Sequence, residues 1–219
     1  MSKNAGVSIP GIGDKLPEFV AETTIGEVNI PGEFADNWLI IVSHPADFTP
    51  VCTSELVSYA RHQPEFEELN CRLVGLSTDD LATHREWVEA MEEKFEEVDF
   101  SFPLIADDSG DVSKLLGLLH PDNQEVTIRG TIIVDPSGTV RLSNFYPGEV
   151  GRSVRETLRA LEALQVADEN EVVLPAEWPD NEEIGGRVME LRSPGESSAN
   201  RERQLHGDWW FCHRRLENK

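Results

Sequence analysis

Residues 38–56 read Trp38-Leu39-Ile40-Ile41-Val42-Ser43-His44-Pro45-Ala46-Asp47-Phe48-Thr49-Pro50-Val51-Cys52-Thr53-Ser54-Glu55-Leu56. The run Leu39 to Val42 is apolar at every position, short and β-branched, the pattern of a strand covered on both faces. Ser43 to Asp47 has the composition of a turn. Thr49-Pro50 then marks a helix start, because threonine is a favoured N-cap and proline at the first helical position gives up an N–H that would have no partner. Val51, Cys52 and Thr53 fall in the first turn, where unpaired N–H groups and the positive end of the helix dipole converge. A cysteine there is pushed toward thiolate, below its free pKa of about 8.5. Taken alone, Cys52 is either a small buried hydrophobe or a nucleophile.

Outward from this stretch, the composition narrows the classes of function. The 219 residues fit one ordinary domain plus an extension. No segment has the apolar length of a membrane span, and the polar start MSKNAGVSIP has no signal-peptide core, so a cytoplasmic protein is expected. The 41 Asp and Glu against 19 Lys and Arg leave a formal charge of −22, which repels nucleic acid and anionic membranes. Only five of those cations are lysine and fourteen are arginine. Acidic excess with scarce lysine resembles proteins of salt-accumulating halophiles, whose self-repulsion is screened in concentrated salt. Three scattered cysteines, Cys52, Cys71 and Cys212, form neither a disulfide scaffold nor a CxxC pair, so individual thiols are expected and no metal site is indicated.

Before the central stretch, Gly11-Ile12-Gly13-Asp14, Pro17, Gly26 and Pro31-Gly32 punctuate short strands of a hairpin. After it, helical spacing runs from Cys52 to Leu69, interrupted by Pro64. Cys71 to Ser77 reads as a second buried strand, with Cys71 a core residue. Asp79 to Val98 is an amphipathic helix with Trp87, Val88, Met91 and Phe95 on one face and glutamates on the other. Residues 102–107 form a short strand, and residues 111–118 a short helix capped by Ser109 or Asp111. Val126 to Val134 and Thr139 to Phe145 pair through the turn Asp135-Pro136-Ser137-Gly138. Val150 to Leu164 is the last helix, with Arg152, Arg155 and Arg159 exposed. From Ala167 prolines and glycines break the pattern, yet Trp178, Trp209, Trp210 and Phe211 demand something to pack against. The order strand, helix, strand, helix, hairpin, helix is that of an α/β, thioredoxin-like fold with a mixed sheet. The division expected is a domain over residues 1–166 and a C-terminal arm over residues 167–219.

Pro45, Thr49 and Cys52 form P-x-x-x-T-x-x-C, and S-H-P-A-D-F-T-P-V-C-T-S-E around it resembles the active-site loop of the peroxiredoxins, in the branch of the 1-Cys enzymes and their archaeal relatives. The resemblance covers almost the whole chain and implies a thiol peroxidase on a thioredoxin-like fold. It implies that Cys52 attacks the peroxide, that Thr49 places a hydroxyl beside it and that Pro45 limits solvent access. Arg129, within Thr127-Ile128-Arg129-Gly130-Thr131, matches the family's active-site arginine, which favours thiolate and offers donors to the peroxide. Arg152 matches a second family arginine that orients the loop, and Glu55 a loop-stabilising acid. His44 stands before Pro45 as in the 1-Cys branch, where it lies near the sulfur; a purely structural histidine remains the other reading.

Asp208-Trp209-Trp210-Phe211-Cys212 resembles the C-terminal signature of archaeal peroxiredoxins, in which this cysteine resolves the sulfenic acid as a disulfide, usually between subunits. His206 occupies a position where some relatives carry another cysteine. The resemblance also implies hydrogen peroxide and alkyl hydroperoxides as substrates and a thioredoxin-like reductant. Its other implications are a homodimer joined through the C-terminal arm, assembly into a decameric ring, and no metal, haem or flavin. Two alternatives stay open: a 1-Cys peroxidase with Cys212 structural, and a ring-forming holdase chaperone. No G-x-S-x-G serine motif occurs.

Overall fold

The computed structural model describes residues 10–194 and 207–216; His206 lies outside them. The chain divides into two compact units between Val154 and Arg155.

In the first unit, β1 (Phe19–Thr23) and β2 (Gly26–Ile30) form the expected hairpin, followed by a single 3-10 turn at Gly32–Phe34. Strand β3 (Trp38–Ser43) is buried at all its positions. The helical stretch after it splits into α1 (Pro50–Arg61) and α2 (Gln63–Glu68). The break precedes Pro64 because proline is accepted in a first turn and not in a helix interior. Next come β4 (Cys71–Ser77) and α3 (Leu81–Lys94), capped by the Asp80 carboxylate on Thr83 N–H at 2.8 Å. Helix α3 is shorter than the spacing predicts, ending at Lys94 rather than near Val98.

Strand β5 (Leu104–Ala106) leads into α4 (Asp111–Leu115). Here the capping expectation holds in part. Gly110, at φ 71°, occupies the N-cap position; Ser109 Oγ accepts from the Asp111 N–H at 3.3 Å, and the next amides go to Asp107, whose carboxylate is bonded to Val112 N–H at 3.1 Å and Ser113 N–H at 2.7 Å. A glycine takes that left-handed turn without strain. Strands β6 (Arg129–Val134) and β7 (Val140–Tyr146) form the second hairpin.

The seven strands make one sheet in the order β2-β1-β5-β4-β3-β6-β7. Strands β3, β4 and β5 run parallel, and the flanking pairs are antiparallel, so the sheet is mixed. Helices supply the crossovers that parallel neighbours require. Leu39 and Ile41 of β3, Val74 and Leu76 of β4, and Ile132 and Val134 of β6 are buried in one hydrophobic cluster. Each such side chain contributes about 1.5–3 kcal/mol by leaving water. This is a thioredoxin-like α/β fold.

Helix α5 (Val154–Asn170) starts later and runs further than the sequence predicts, past residue 166. It buries Thr157, Ala160 and Leu161. Arg152, expected to be exposed on it, lies before the helix and is buried. In the second unit β8 (Val188–Met189) pairs antiparallel with β9 (His213–Arg214). Trp178 is buried, its indole donating to Gly186 O, whereas Trp209 and Trp210 are exposed. Among the described residues no helix is long and apolar enough to cross a membrane.

Candidate active site

The β3–α1 connection delivers the sequence-predicted residues to one end of the sheet. Thr49 takes the extended backbone of an N-cap, φ −105° and ψ 146°, and Pro50 opens α1. Its hydroxyl, however, does not cap the helix; it donates to Ala46 O at 2.8 Å. The loop is folded back on itself, with Phe48 in the left-handed region at φ 52°, and the hydroxyl turns toward the nearest free carbonyl. Its lone pairs stay available. The Thr53 amide bonds back to Thr49 O at 2.9 Å, so the amides of Val51 and Cys52 precede the helical ladder. Cys52 is buried, with 1% of its surface exposed. Pro45 is half-buried.

A network of three charged groups reaches the thiol through Arg129. Arg129, the first residue of β6, brings Nη2 to 3.6 Å from Cys52 Sγ and donates from the same nitrogen to Gly148 O at 2.9 Å. Its Nη1 pairs with Glu55, while its buried Nε–H has no partner among the described residues. Glu55 stands three residues after Cys52, on the same side of α1. It also holds Arg152, through Nε at 2.9 Å, Nη2 at 2.8 Å and the backbone N–H. Arg152 in turn donates to Gly130 O and, at 3.3 Å, to Thr131 Oγ1. Burial drives the Glu55 carboxyl toward protonation, but the hydrogen bonds and charge of Arg152, then the charge of Arg129, outweigh it and hold the pKa below the ordinary carboxylate value. Two buried guanidiniums on one buried carboxylate leave an excess positive charge, part of it against the sulfur. A Cβ on Gly130 would come within 2.7 Å of Leu118 Cδ2 and 3.1 Å of Ser43 Oγ. A side chain there would have to displace both.

His44 is fully buried and belongs to a second hydrogen-bonded cluster. Its Nε2 lies 2.8 Å from Asp47 Oδ1, and the other carboxylate oxygen lies 2.6 Å from His84 Nδ1. His84 Nε2 reaches Ile105 O at 3.0 Å. Asp47 also donates its backbone N–H to Asp79 Oδ2 at 2.9 Å. Burial lowers the His44 pKa, whereas hydrogen bonding and charge from Asp47 overcome burial and raise that of His84. Asp47, though buried, is lowered by the two rings. Sequence reasoning named neither Asp47 nor His84. One signal was present: His84, Trp87 and Met91 share the apolar spacing of α3, and a histidine on that face is buried with a partner. The ligand atoms of His44, Asp47 and His84 lie within 4.8 Å of one another, near enough for a cation, but hydrogen bonds already join them.

A cavity of about 560 Å³ adjoins the loop, lined by Phe48, Thr49, Pro50, Trp87, Met91 and Phe95 among others. Cys52 does not line it. Cys71 is buried at the start of β4, where burial pushes its thiol pKa up. Cys212 is buried in the second unit, and none of the three cysteines is in a disulfide.

Residues 12–143 match the AhpC/TSA family. The chain is 43% identical over 214 residues to a peroxiredoxin of Archaeoglobus fulgidus, covering 94% of this chain and 99% of that one. It is 44% identical over 214 residues to a peroxiredoxin of Thermotoga maritima, covering 95% and 98%. Among solved structures, a mutant of peroxiredoxin 6 of Arenicola marina superposes with a TM-score of 0.83 at 28% identity, over 95% of this chain and 99% of that one. A yeast mitochondrial 1-Cys peroxiredoxin gives 0.80 at 33%, over 94% and 98%.

Proposed function

This chain belongs to the peroxiredoxin (AhpC/TSA) family, and from that premise we propose that Cys52 is its peroxidatic cysteine and the Arg129–Glu55–Arg152 network its electrostatic support. Thiol peroxidase activity through a peroxidatic cysteine comes with the family. The single observation that carries the assignment is the 3.6 Å approach of Arg129 Nη2 to Cys52 Sγ at the start of a helix.

The Cys52 thiolate attacks one oxygen of a hydroperoxide and the O–O bond breaks. Its electron pair leaves on the other oxygen as hydroxide or alkoxide, which takes up a proton, and Cys52 is left as sulfenic acid. Charge therefore moves from sulfur to the leaving oxygen. Donors fixed beforehand around that path lower the barrier without reorganising. The amides of Val51 and Cys52 and the Arg129 Nε–H, which has no partner among the described residues, are such donors, while the Thr49 hydroxyl, its proton on Ala46 O, accepts from the hydroperoxide. Glu55 and Arg152 hold Arg129 in place, and Pro45 shields the sulfur.

Hydrogen peroxide and small alkyl hydroperoxides are the substrates in this reading, with a thioredoxin-like protein as reductant and no metal or organic cofactor. Cys212 resolves the sulfenic acid as an intersubunit disulfide. Residues 1–166 act as the peroxidase domain and 167–219 as the dimerisation arm of a cytoplasmic homodimer that builds a decameric ring. Exposed Trp209 and Trp210 support a partner surface on that arm. The burial of Cys212 and the likeness to a 1-Cys enzyme favour a second reading, in which Cys212 is structural and an external thiol resolves Cys52. Stopped-flow peroxide consumption, followed by the intact mass of the product with and without reductant, tests both. A protein whose Cys52 gains no oxygen and forms no disulfide overturns the assignment.

A further inference from the structure

The buried trio of His44, Asp47 and His84 takes no part in the chemistry above, yet its hydrogen bonds leave only one consistent proton arrangement. His84 faces an acceptor on each side, Asp47 Oδ2 at 2.6 Å and the Ile105 carbonyl at 3.0 Å. With Asp47 ionised, as the two rings' lowering of its pKa keeps it, both His84 nitrogens donate, which makes the ring an imidazolium. The second Asp47 oxygen is an acceptor too, so His44 carries its proton on Nε2, 2.8 Å away. His44 Nδ1 is then a bare acceptor, buried and without a partner among the described residues. Most buried polar side-chain atoms are hydrogen-bonded, so this one calls for an explanation.

Position gives the trio its consequence. Asp47 precedes Phe48, whose φ of 52° is a strained conformation for an aromatic residue. Thr49 and the start of α1 follow at once. Asp47 thus ties the loop to α3 through His84 and, through its own amide, to Asp79. The His44 ring also packs on Trp87 of α3, centroids 5.2 Å apart.

We propose that His84 is a positioning residue of the peroxide site: as an imidazolium it pins the Asp47 carboxylate, and through it the His44 tautomer and the strained Phe48 turn that sets Thr49 and Cys52 at the helix start. The inference rests on Cys52 being the reactive thiol. The charged groups facing the trio are Asp79 and Asp80 ahead of α3, besides its own members. The His84 cation is one of the influences that hold the His44 pKa down. Without it His44 binds a proton at higher pH and its free acceptor disappears.

Ring nitrogen NMR of the wild-type protein at neutral pH gives the first test. His84 protonated on both nitrogens, with His44 protonated on Nε2 alone, is expected; a neutral His84 or a doubly protonated His44 overturns the proposal. His84→Gln gives the second. Single-turnover oxidation of Cys52, expressed per reactive thiol, should slow about tenfold or more, with its acid limb moved to higher pH. A wild-type rate constant and pH profile in that variant, even with a lower melting temperature, would reduce His84 to core packing and end the proposal. Should the variant not fold, Asp47→Asn carries the same kinetic test. A wild-type protein that fails to react with peroxide defeats the assignment of Cys52 instead, and the NMR result then decides the protonation of the trio separately.

Discussion

Arg129 Nη2 stands 3.6 Å from Cys52 Sγ although 77 residues separate them. The meeting follows from the sheet. Strand β6 starts at Arg129 and runs antiparallel to β3, with Thr131 opposite Val42, while β3 runs directly into the loop before Cys52. Arg129→Ala should slow both iodoacetamide alkylation of Cys52 at neutral pH and its oxidation by peroxide, the latter about 10²-fold or more, as for the loss of one fixed donor to a developing charge. Arg129→Lys should restore little, since an ammonium cannot span Glu55 and the sulfur together. Alkylation and oxidation rates equal to wild type would place the important cation elsewhere.

Replacing Cys52 by serine should abolish peroxide consumption while leaving the fold intact. A serine hydroxyl stays protonated where a cysteine ionises, and the side chain is nearly isosteric. Appreciable turnover of this variant, with dithiothreitol as reductant, would contradict the assignment.

The Glu55 carboxylate makes a prediction about acid. Its folded pKa lies below the ordinary value, so it contributes stability that is fully present above the unfolded pKa of about 4.3 and is lost as pH falls through the folded one. Asp47 behaves the same way. His84 has the opposite sign: its contribution is complete below about 6.5 and fades as pH rises through its raised value. Thermal melts should therefore show a plateau with losses on both sides. Glu55→Gln, which strands two buried guanidiniums, should lower stability by roughly 3–5 kcal/mol at neutral pH and flatten the acid limb. An unchanged acid limb would show that Glu55 is not ionised in the folded protein.

What the sequence made legible was what short-range chemistry decides. The apolar run of β3 and the Thr49-Pro50 helix start needed only neighbours along the chain. Arg152 was misplaced on an exposed helix face because its burial depends on Glu55, 97 positions away. Period and composition do not report a buried ion pair between distant segments. At α4 the sequence offered Ser109, which takes the first amide, but not Asp107, which takes the next two, for a related reason: a glycine turn brings back a carboxylate from β5's end. His84 went unnamed because a histidine on an apolar face looks like any core residue until Asp47 is seen beside it.

The formal charge of −22 predicts a salt dependence that is independent of the catalytic assignment. Like charges crowded on a folded surface repel, and molar potassium chloride reduces the screening length to about 3 Å. Melting temperature should rise with potassium chloride into the molar range. A flat or falling series would remove the halophile reading and leave the peroxidase chemistry untouched.

Cys212 carries the last prediction. It is buried directly before β9, and its carbonyl accepts from Glu190 N–H at 2.9 Å. The ladder it adjoins pairs only two residues on each strand, so releasing the segment breaks few bonds. If Cys212 resolves across a dimer, peroxide should convert the chain into a reducible covalent dimer, and Cys212→Ser should prevent it. Sulfenic acid should still form at Cys52 in that variant, since Cys212 plays no part in O–O cleavage. Turnover with a thioredoxin-type donor should fall, whereas dithiothreitol, small enough to reach the sulfenic acid, should sustain it. Cys71 is the rival thiol, but it starts a buried strand hydrogen-bonded beside β3, and burial pushes its thiol pKa up, away from the thiolate that must attack. A Cys52–Cys71 disulfide in a peptide map would identify the wrong partner here. Oxidised wild-type protein that stays monomeric on non-reducing gels, carrying sulfenic acid and no disulfide, would instead establish the 1-Cys route with an external thiol as resolver.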